Sequence, residues 1–385
     1  MENVLVVGAN TRPVACSLKK LGYNVFSADY FCTEDLKPCA DNLKCILTQI
    51  PYASCGRFSI NFDENYLAEL ATLMVDDADF IICCSGSSPE NFPSQKIKGN
   101  KNTGNIENKY KLYKKLKNKF KIPETHLISG KDEVQEILNN SRDKKFILKP
   151  LRGTSGMGIR NADEIYPNFK FQDYILQERI IGENLSVSTL STGKEAKTIL
   201  TSKQIIGKTE LGQIEPYGYC GNIVPYTGGQ DLTSIAEEVV QSLSLVGSNG
   251  VDFIQNGEEL YLLEVNPRFQ GTIECAEAVL GINMAEAHLK ACDGTLMEIK
   301  SPQQFAVKII IHAKEQSMVG KLYGDDVYDI PHENVIIEKG EPVATVVKRG
   351  TILEDLIYST QNKVDLIYSK LHPPINNLNN TSNAI

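Results

Sequence analysis

Two short apolar runs near the N-terminus, residues 4–7 and 25–28, are separated by a helical pattern of Val14, Ala15, Leu18 and Leu21, with Gly8 and Gly22 at the breaks. Strands joined through a helix cannot close as a hairpin. The crossover makes them parallel neighbours, and a parallel sheet needs cover on both faces. A further apolar run at 80–84, ending at Ser85-Gly86-Ser87-Ser88, supplies another buried strand. Residues 1–95 are therefore expected to form a parallel α/β domain.

The remaining chain changes texture more than once. Residues 96–121 hold ten lysines and one acid, Glu107, with helical spacing over 107–120 that Pro123 ends. Most of these lysines read as a solvated helix face. A helix is expected near 131–138, a strand at 146–149 and another at 175–178. Past Gly182 strands are expected at 185–190, 198–202 and 214–216, then an amphipathic helix at 232–246. A hairpin at 251–254 and 260–265 follows, then helices over 272–291. Apolar runs at 305–313, 335–338 and 344–347 suggest a small C-terminal sheet. The divisions implied are 1–95, 96–182, 183–300, 301–371 and a disordered Asn-rich tail, 372–385.

Composition excludes several roles. With 385 residues and 42% hydrophobic content the chain can bury two or three cores. A net charge of −8 argues against a nucleic-acid partner. No apolar run approaches the ~18 to 20 residues of a membrane span, and the start lacks the basic region of a signal peptide. The ten cysteines show no CxxC spacing and read as reduced, buried thiols of a cytoplasmic protein.

Gly8 and Asp29 have the separation of a dinucleotide fingerprint, but the turn Gly8-Ala9-Asn10-Thr11-Arg12-Pro13 lacks two of its three glycines. Phosphate chemistry sits elsewhere. Lys149 ends an apolar strand just before Gly153-Thr154-Ser155-Gly156-Met157-Gly158. Such a loop can aim backbone N–H groups at phosphate oxygens while the lysine supplies a point charge. An ordinary glycine-rich turn is the plain alternative. Downstream, Gln177-Glu178-Arg179-Ile180-Ile181 is a polar strand end whose edge suits an adenine.

The hairpin is more specific. Glu264 and Asn266 fall on one face of an otherwise apolar strand because side chains alternate. A carboxylate and an amide oxygen suit Mg²⁺, or Mn²⁺. Asp252 joins them only if the turn has the right parity. A two-residue turn at Asn256-Gly257 sets Asp252 against Tyr261, pointing away. A three-residue loop, Asn256-Gly257-Glu258, sets it opposite Leu262 and diagonal to Glu264. The three-residue loop is the expectation. The plain alternative for Glu264 is a structural ion pair with Arg268.

Taken in order, Asn108-Lys109, Lys149, the glycine loop, Gln177-Glu178, Asp252 and Glu264-Val265-Asn266-Pro267-Arg268 resemble the ATP-grasp superfamily. The tail with Gly340-Glu341-Pro342-Val343 and Gly350-Thr351 is similar to the carboligase branch related to biotin carboxylase. The resemblance implies an α/β (α+β) ATP-grasp fold: an N-terminal parallel domain, a small lid subdomain, a central antiparallel domain and a C-terminal β-rich extension. It further implies ATP held by Lys109 and Lys149 under the lid from Gly153 to Gly158, with adenine at Glu178, Arg179, Ile180 and Ile181. Ribose falls at Glu183 or Asn184, which this sequence leaves open. Asp252, Glu264 and Asn266 would hold magnesium, and Arg268 would face the transferred phosphoryl group. The activity implied is ligation of a small-molecule carboxylate to an amine through an acylphosphate, with a homodimer admitted. Bicarbonate activation and a non-catalytic ATP-binding regulator remain as alternatives. The substrate is not named by the sequence; the stretch Tyr217-Gly218-Tyr219-Cys220-Gly221-Asn222 and the turn Phe269-Gln270-Gly271-Thr272 are candidates for its pocket.

Overall fold

The computed structural model describes residues 1–164, 169–228 and 232–374. Its first sheet is parallel, with strands β1 (Asn3–Gly8), β2 (Asn24–Asp29), β3 (Asn42–Cys45) and β4 (Phe80–Cys83) in the order β3-β2-β1-β4. Alternation along β1 explains the cover on both faces. Val4 and Val6 pack with Val14 and Leu18 of helix α1 (Arg12–Lys20), whereas Leu5 and Val7 pack with Leu67 and Ala71 beyond α2 (Phe58–Asn61), on α3 (Glu64–Val75). Pro13 sits at the start of α1, where a missing N–H costs nothing.

The lysine-rich stretch forms two short helices, α4 (Gly104–Glu107) and α5 (Lys109–Leu116), rather than one over 107–120. Asn108 causes the break: its side chain accepts from the Lys111 amide at 3.0 Å and caps α5. The lid follows, with α6 (Lys131–Asn140) and the antiparallel strands β5 (Thr125–Leu127), β6 (Phe146–Pro150), β7 (Arg160–Asn161) and β8 (Tyr174–Glu178), ordered β5-β8-β6-β7.

The central antiparallel sheet comprises β9 (Glu183–Thr192), β10 (Ala196–Ile206), β11 (Tyr219–Val224), β12 (Val246–Asn256), β13 (Glu259–Asn266), β14 (Phe305–His312), β16 (Val327–Tyr328) and β18 (Pro342–Gly350). Their order is β13-β12-β9-β10-β11-β14-β18-β16. Helix α7 (Leu232–Ser242) packs on one face; α8 (Ile273–Leu280) and α9 (Met284–Cys292) pack between the other face and α1. The strand expected at 214–216 instead falls at Tyr219–Val224, and the helix expected to reach 246 stops at Ser242 because Val246 opens β12.

The C-terminal apolar runs do not make a sheet of their own: β14 and β18 extend the central one. Only β15 (Ser317–Val319), β17 (Ile336–Ile337) and β19 (Leu371–His372) form a separate small sheet. His372, expected to begin a disordered tail, pairs with Met318, and 375–385 lie outside the described residues. A sixteen-residue helix, α10 (Leu353–Tyr368), was not expected; it covers the β14/β18 side through Leu356, Val364 and Ile367.

One cysteine expectation is corrected. Cys16 on α1 and Cys39 on the turn at Lys37–Cys39 are brought to a Cα separation of 4.8 Å and are joined by a disulfide. A spacing of 23 residues carries no sequence motif. The other eight cysteines are thiols.

His288 ties α9 to the sheet. Its Nδ1 accepts from the Ser248 amide at 2.9 Å and its Nε2 donates to the Lys98 carbonyl at 3.1 Å, so the neutral ring is fully satisfied. Burial holds its pKa down at about 4. Between pH 6.5 and 4 the unfolded chain therefore binds a proton that the folded chain refuses, and stability falls as pH drops through that window. The cost at the acid end is about 3 kcal/mol. His312 acts in the same direction, whereas Asp29, raised by burial to about 6, acts oppositely. The diagnostic is thus a difference: denaturant titrations at pH 7 and 4.5 should show a smaller acid loss for His288→Gln than for wild type.

Candidate functional site

The Asp252–Glu264 pairing is achieved by a different route from the one expected. Asn256 pairs with Glu259, so the hairpin turn is the two-residue Gly257-Glu258, not a three-residue loop. From there the register runs to Phe253 opposite Leu262, and then shifts, so that Asp252 faces Glu264 and Gly250 faces Asn266. Leu263 is the extra residue of a β-bulge. The bulge supplies the one-residue change of parity that the loop was expected to supply.

Asp252, Glu264 and Asn266 are consequently neighbours. The Asn266 Nδ2 donates to Asp252 at 3.1 Å, and Arg268 donates to the Asn266 Oδ1 at 3.0 Å. Burial, and then the facing charge of Glu264, push the Asp252 carboxyl up to about 6. Burial would raise Glu264 as well, but Lys109, Lys149 and Arg268 hold it below the ordinary carboxylate range. Its ion-pair partner is Lys109 at 3.4 Å; Arg268 turns instead toward Glu107, 3.9 Å away. Among the described residues, no group of three or more His, Cys, Asp or Glu side chains could hold a metal ion. Two opposed carboxylates and an amide oxygen still form a donor set suited to a hard divalent cation that takes its other ligands from phosphates.

Lys149 points into the same space from the lid sheet, its Nζ donating to the Gln177 Oε1 at 3.1 Å. Burial, and then the charge of Lys109, lower its pKa to about 8. An ammonium so poor in counter-charge is poised for an anion. Lys109 stands at the start of α5, its amide bonded to the Leu151 carbonyl at 3.0 Å, which ties one lysine to the end of the other's strand.

Thr154, Ser155 and Gly156 of the glycine loop line the cleft; Gly153, Met157 and Gly158 do not. The loop is seated at two points. Thr154 Oγ1 and Ser85 Oγ of the first domain are 3.1 Å apart, and the Tyr219 amide donates to the Ser155 carbonyl at 3.1 Å. Gly156 has φ +74°, and a Cβ there would stand 1.8 Å from the Tyr217 carbonyl oxygen.

At the far end Glu178, Arg179, Ile180 and Ile181 line the cleft. The amides of Glu178 and Arg179 donate to the Glu124 and Lys145 carbonyls at 2.8 and 2.7 Å. Of the two ribose candidates, Asn184 lines the cleft, whereas Glu183 is turned to Lys203 and to the Tyr226 hydroxyl. Asp29 is also occupied: it accepts from the Thr11 amide and hydroxyl and from the Cys32 amide, and so fixes the turn after β1.

The cleft measures about 580 Å³. Both stretches proposed for a substrate pocket contribute, through Tyr217, Tyr219 and Asn222 and through Phe269, Gln270, Gly271 and Thr272. Residues the sequence did not single out are Asn10, Ser85, Gln204 and Lys308. Lys308 interrupts an apolar run, which was the available signal.

Gly156→Ala should unseat the loop. Amide exchange at Tyr219 should accelerate roughly tenfold or more, while Gly153→Ala, where an added Cβ meets nothing nearer than 3.6 Å, leaves it unchanged.

A family model described as an ATP-grasp domain matches residues 106–272, the span from α4 through the bulged hairpin to the turn at Thr272. An uncharacterized protein of Methanocaldococcus jannaschii is 37% identical over 364 residues, covering 90% of this chain and 88% of its own. Tyramine–L-glutamate ligase from the same organism is 28% identical over 170 residues, 43% of this chain and 44% of the relative. Among solved structures, the β,γ-ATP complex of biotin carboxylase from Campylobacter jejuni superposes with a TM-score of 0.70 at 15% identity, covering 96% of this chain and 91% of that one. With the lysines, the lid and the bulged hairpin in their places, the chain belongs to the ATP-grasp superfamily.

Proposed function

We propose that this protein is an ATP-dependent ligase that activates a small carboxylate as an acylphosphate and delivers it to an amine. The observation that carries the reading is the bulged register, which sets Asp252 and Glu264 face to face beside two buried lysines. Opposed carboxylates repel, and a divalent cation relieves that repulsion. Mg²⁺ held by Glu264, Asn266 and Asp252 would neutralise charge on the ATP phosphates.

The chain's own groups then have separate tasks. Lys149 and Lys109 hold phosphate oxygens, and the amides of Thr154, Ser155 and Gly156 close over them. Arg268, already bonded to Asn266, faces the phosphoryl group as it passes from the β-phosphate oxygen to the substrate carboxylate. ADP leaves, the amine attacks the acyl carbon, and phosphate departs as the amide forms. Alignment and charge neutralisation are the main contributions asked of the protein. The seated lid keeps water from an intermediate that it would hydrolyse. The relative named for tyramine–glutamate ligation supports the carboxylate–amine class.

Lys149→Met should weaken Mg-ATP binding by roughly 10- to 100-fold, the worth of a charge-assisted contact to phosphate, as read by calorimetry. Glu264→Gln should abolish the magnesium dependence of that binding. Wild type supplied with Mg-ATP, mixed carboxylates and mixed amines should release ADP; no release with any combination would refute ligation.

A further inference from the structure

At its end near the first domain and β14, the cleft is lined by Asn10, Ser85, Asn222, Arg268, Gln270, Thr272 and Lys308. The carboxylates among the described lining residues are Glu178, Asp252 and Glu264, which sit at the opposite end or at the candidate metal face. This end therefore presents two cations and no acid. Lys308 is the unexpected one. It lies in the middle of β14, 6% exposed, directly across the ladder from Asn222, itself 2% exposed.

Two of the three N–H donors of Lys308 are engaged, with Glu274 at 2.7 Å and the Gly271 carbonyl at 3.0 Å. Glu274 is shared with Arg12 at 2.5 Å, and Arg12 reaches Asp329 at 2.7 Å. These contacts fix the ammonium without closing it off from the cleft. Asn222 is fixed in turn, its Nδ2 donating to the Tyr219 hydroxyl at 2.6 Å. The Thr272 hydroxyl is turned to Ser188, 2.7 Å away, so no side chain caps the start of α8 beside Lys308. Lys308 is held at Gly271, three residues on from Arg268, so the Cα atoms of Arg268 and Gly271 are at most about 11 Å apart, and both side chains line the one cleft.

We propose that the acceptor is a dicarboxylate, with one carboxylate beside Arg268 for phosphorylation and the second held by Lys308 and Asn222. A phosphorylated acceptor such as a ribonucleotide fits poorly, because a phosphate dianion calls for more cationic charge than one lysine already shared with Glu274. Lys308 and Asn222 are thus specificity-determining residues. The proposal rests on the ligase reading, and the test separates the two.

The experiment is calorimetric titration of the protein, loaded with Mg²⁺ and a non-hydrolysable ATP analogue, using succinate, glutarate and L-glutamate against butyrate and L-alanine. At least one dicarboxylate is expected to bind roughly tenfold or more tightly than the monocarboxylates. Lys308→Met should abolish that preference with nucleotide affinity unchanged, while Lys308→Arg keeps it. Should Lys308→Met fail to fold, Asn222→Asp serves, placing a carboxylate against the second anion and lowering dicarboxylate affinity by a similar factor. The proposal is overturned if no dicarboxylate binds at about 10 mM, if mono- and dicarboxylates bind alike, or if the preference survives both substitutions. Dicarboxylate binding without ADP release in the presence of ATP and amines would sink the ligase reading alone. ADP release supported only by monocarboxylates would sink this one alone.

Discussion

Side chains on a strand alternate between two faces, so whether Asp252, Glu264 and Asn266 meet is a matter of counting residues around a hairpin. The turn at Gly257-Glu258 gives a count that sets Asp252 across from Leu263. One bulge corrects it. Without that extra residue the Asp252 carboxylate would be presented on the opposite face from Glu264, and the lysines arriving from α5 and β6 would find one carboxylate instead of two. The local twist that a bulge adds also turns the end of β13, from which Pro267 and Arg268 lead into the cleft.

The charges gathered there are costly in the folded protein. Lys109 and Lys149 are buried within range of each other, and Asp252 and Glu264 lie half-buried opposite each other. Each like pair is tolerable because the other lies beside it, and the pKa directions record the residual strain: one lysine is driven down, one carboxyl driven up. A ligand carrying both a cation and several phosphate oxygens satisfies both pairs at once. The same logic extends along the cleft, where Lys308, Glu274 and Arg12 balance one another across three parts of the chain.

Much of this was legible in the sequence, for identifiable reasons. Apolar strands bounded by glycine, the lysine ahead of the glycine loop, and the two oxygen donors in an apolar strand are local patterns, and local patterns survive without a structure. What could not be read depends on distant partners. The bulge at Leu263 carries no glycine to announce it. Lys308 stood out as a lysine in an apolar run, but its place in the cleft follows only from the pairing of β14 with β11. The Cys16–Cys39 link needs the turn after β2 to fold back on α1. Whether Glu183 or Asn184 faces the cleft depends on which face of β9 is inward, and Lys203 and Tyr226 decide it by taking Glu183. Helix α10 had acids in its first turn and apolar spacing, yet no side-chain cap to mark its start.

The central sheet runs without a break from the hairpin of β12 and β13 to β18 and β16. Its hydrogen-bonded ladder makes the floors under the two proposed sites, for nucleotide and for acceptor, parts of one plate. The small four-stranded lid sheet is separate from this plate and is joined to it by the short covalent connection between Glu178 and Glu183, by the Leu262 amide bonded to the Lys121 carbonyl, and by the seat of its glycine loop. On the proposed ligase reading, the relative placement of phosphoryl donor and acceptor would be set by the hydrogen-bonded ladder of one sheet, whatever the separate lid sheet does.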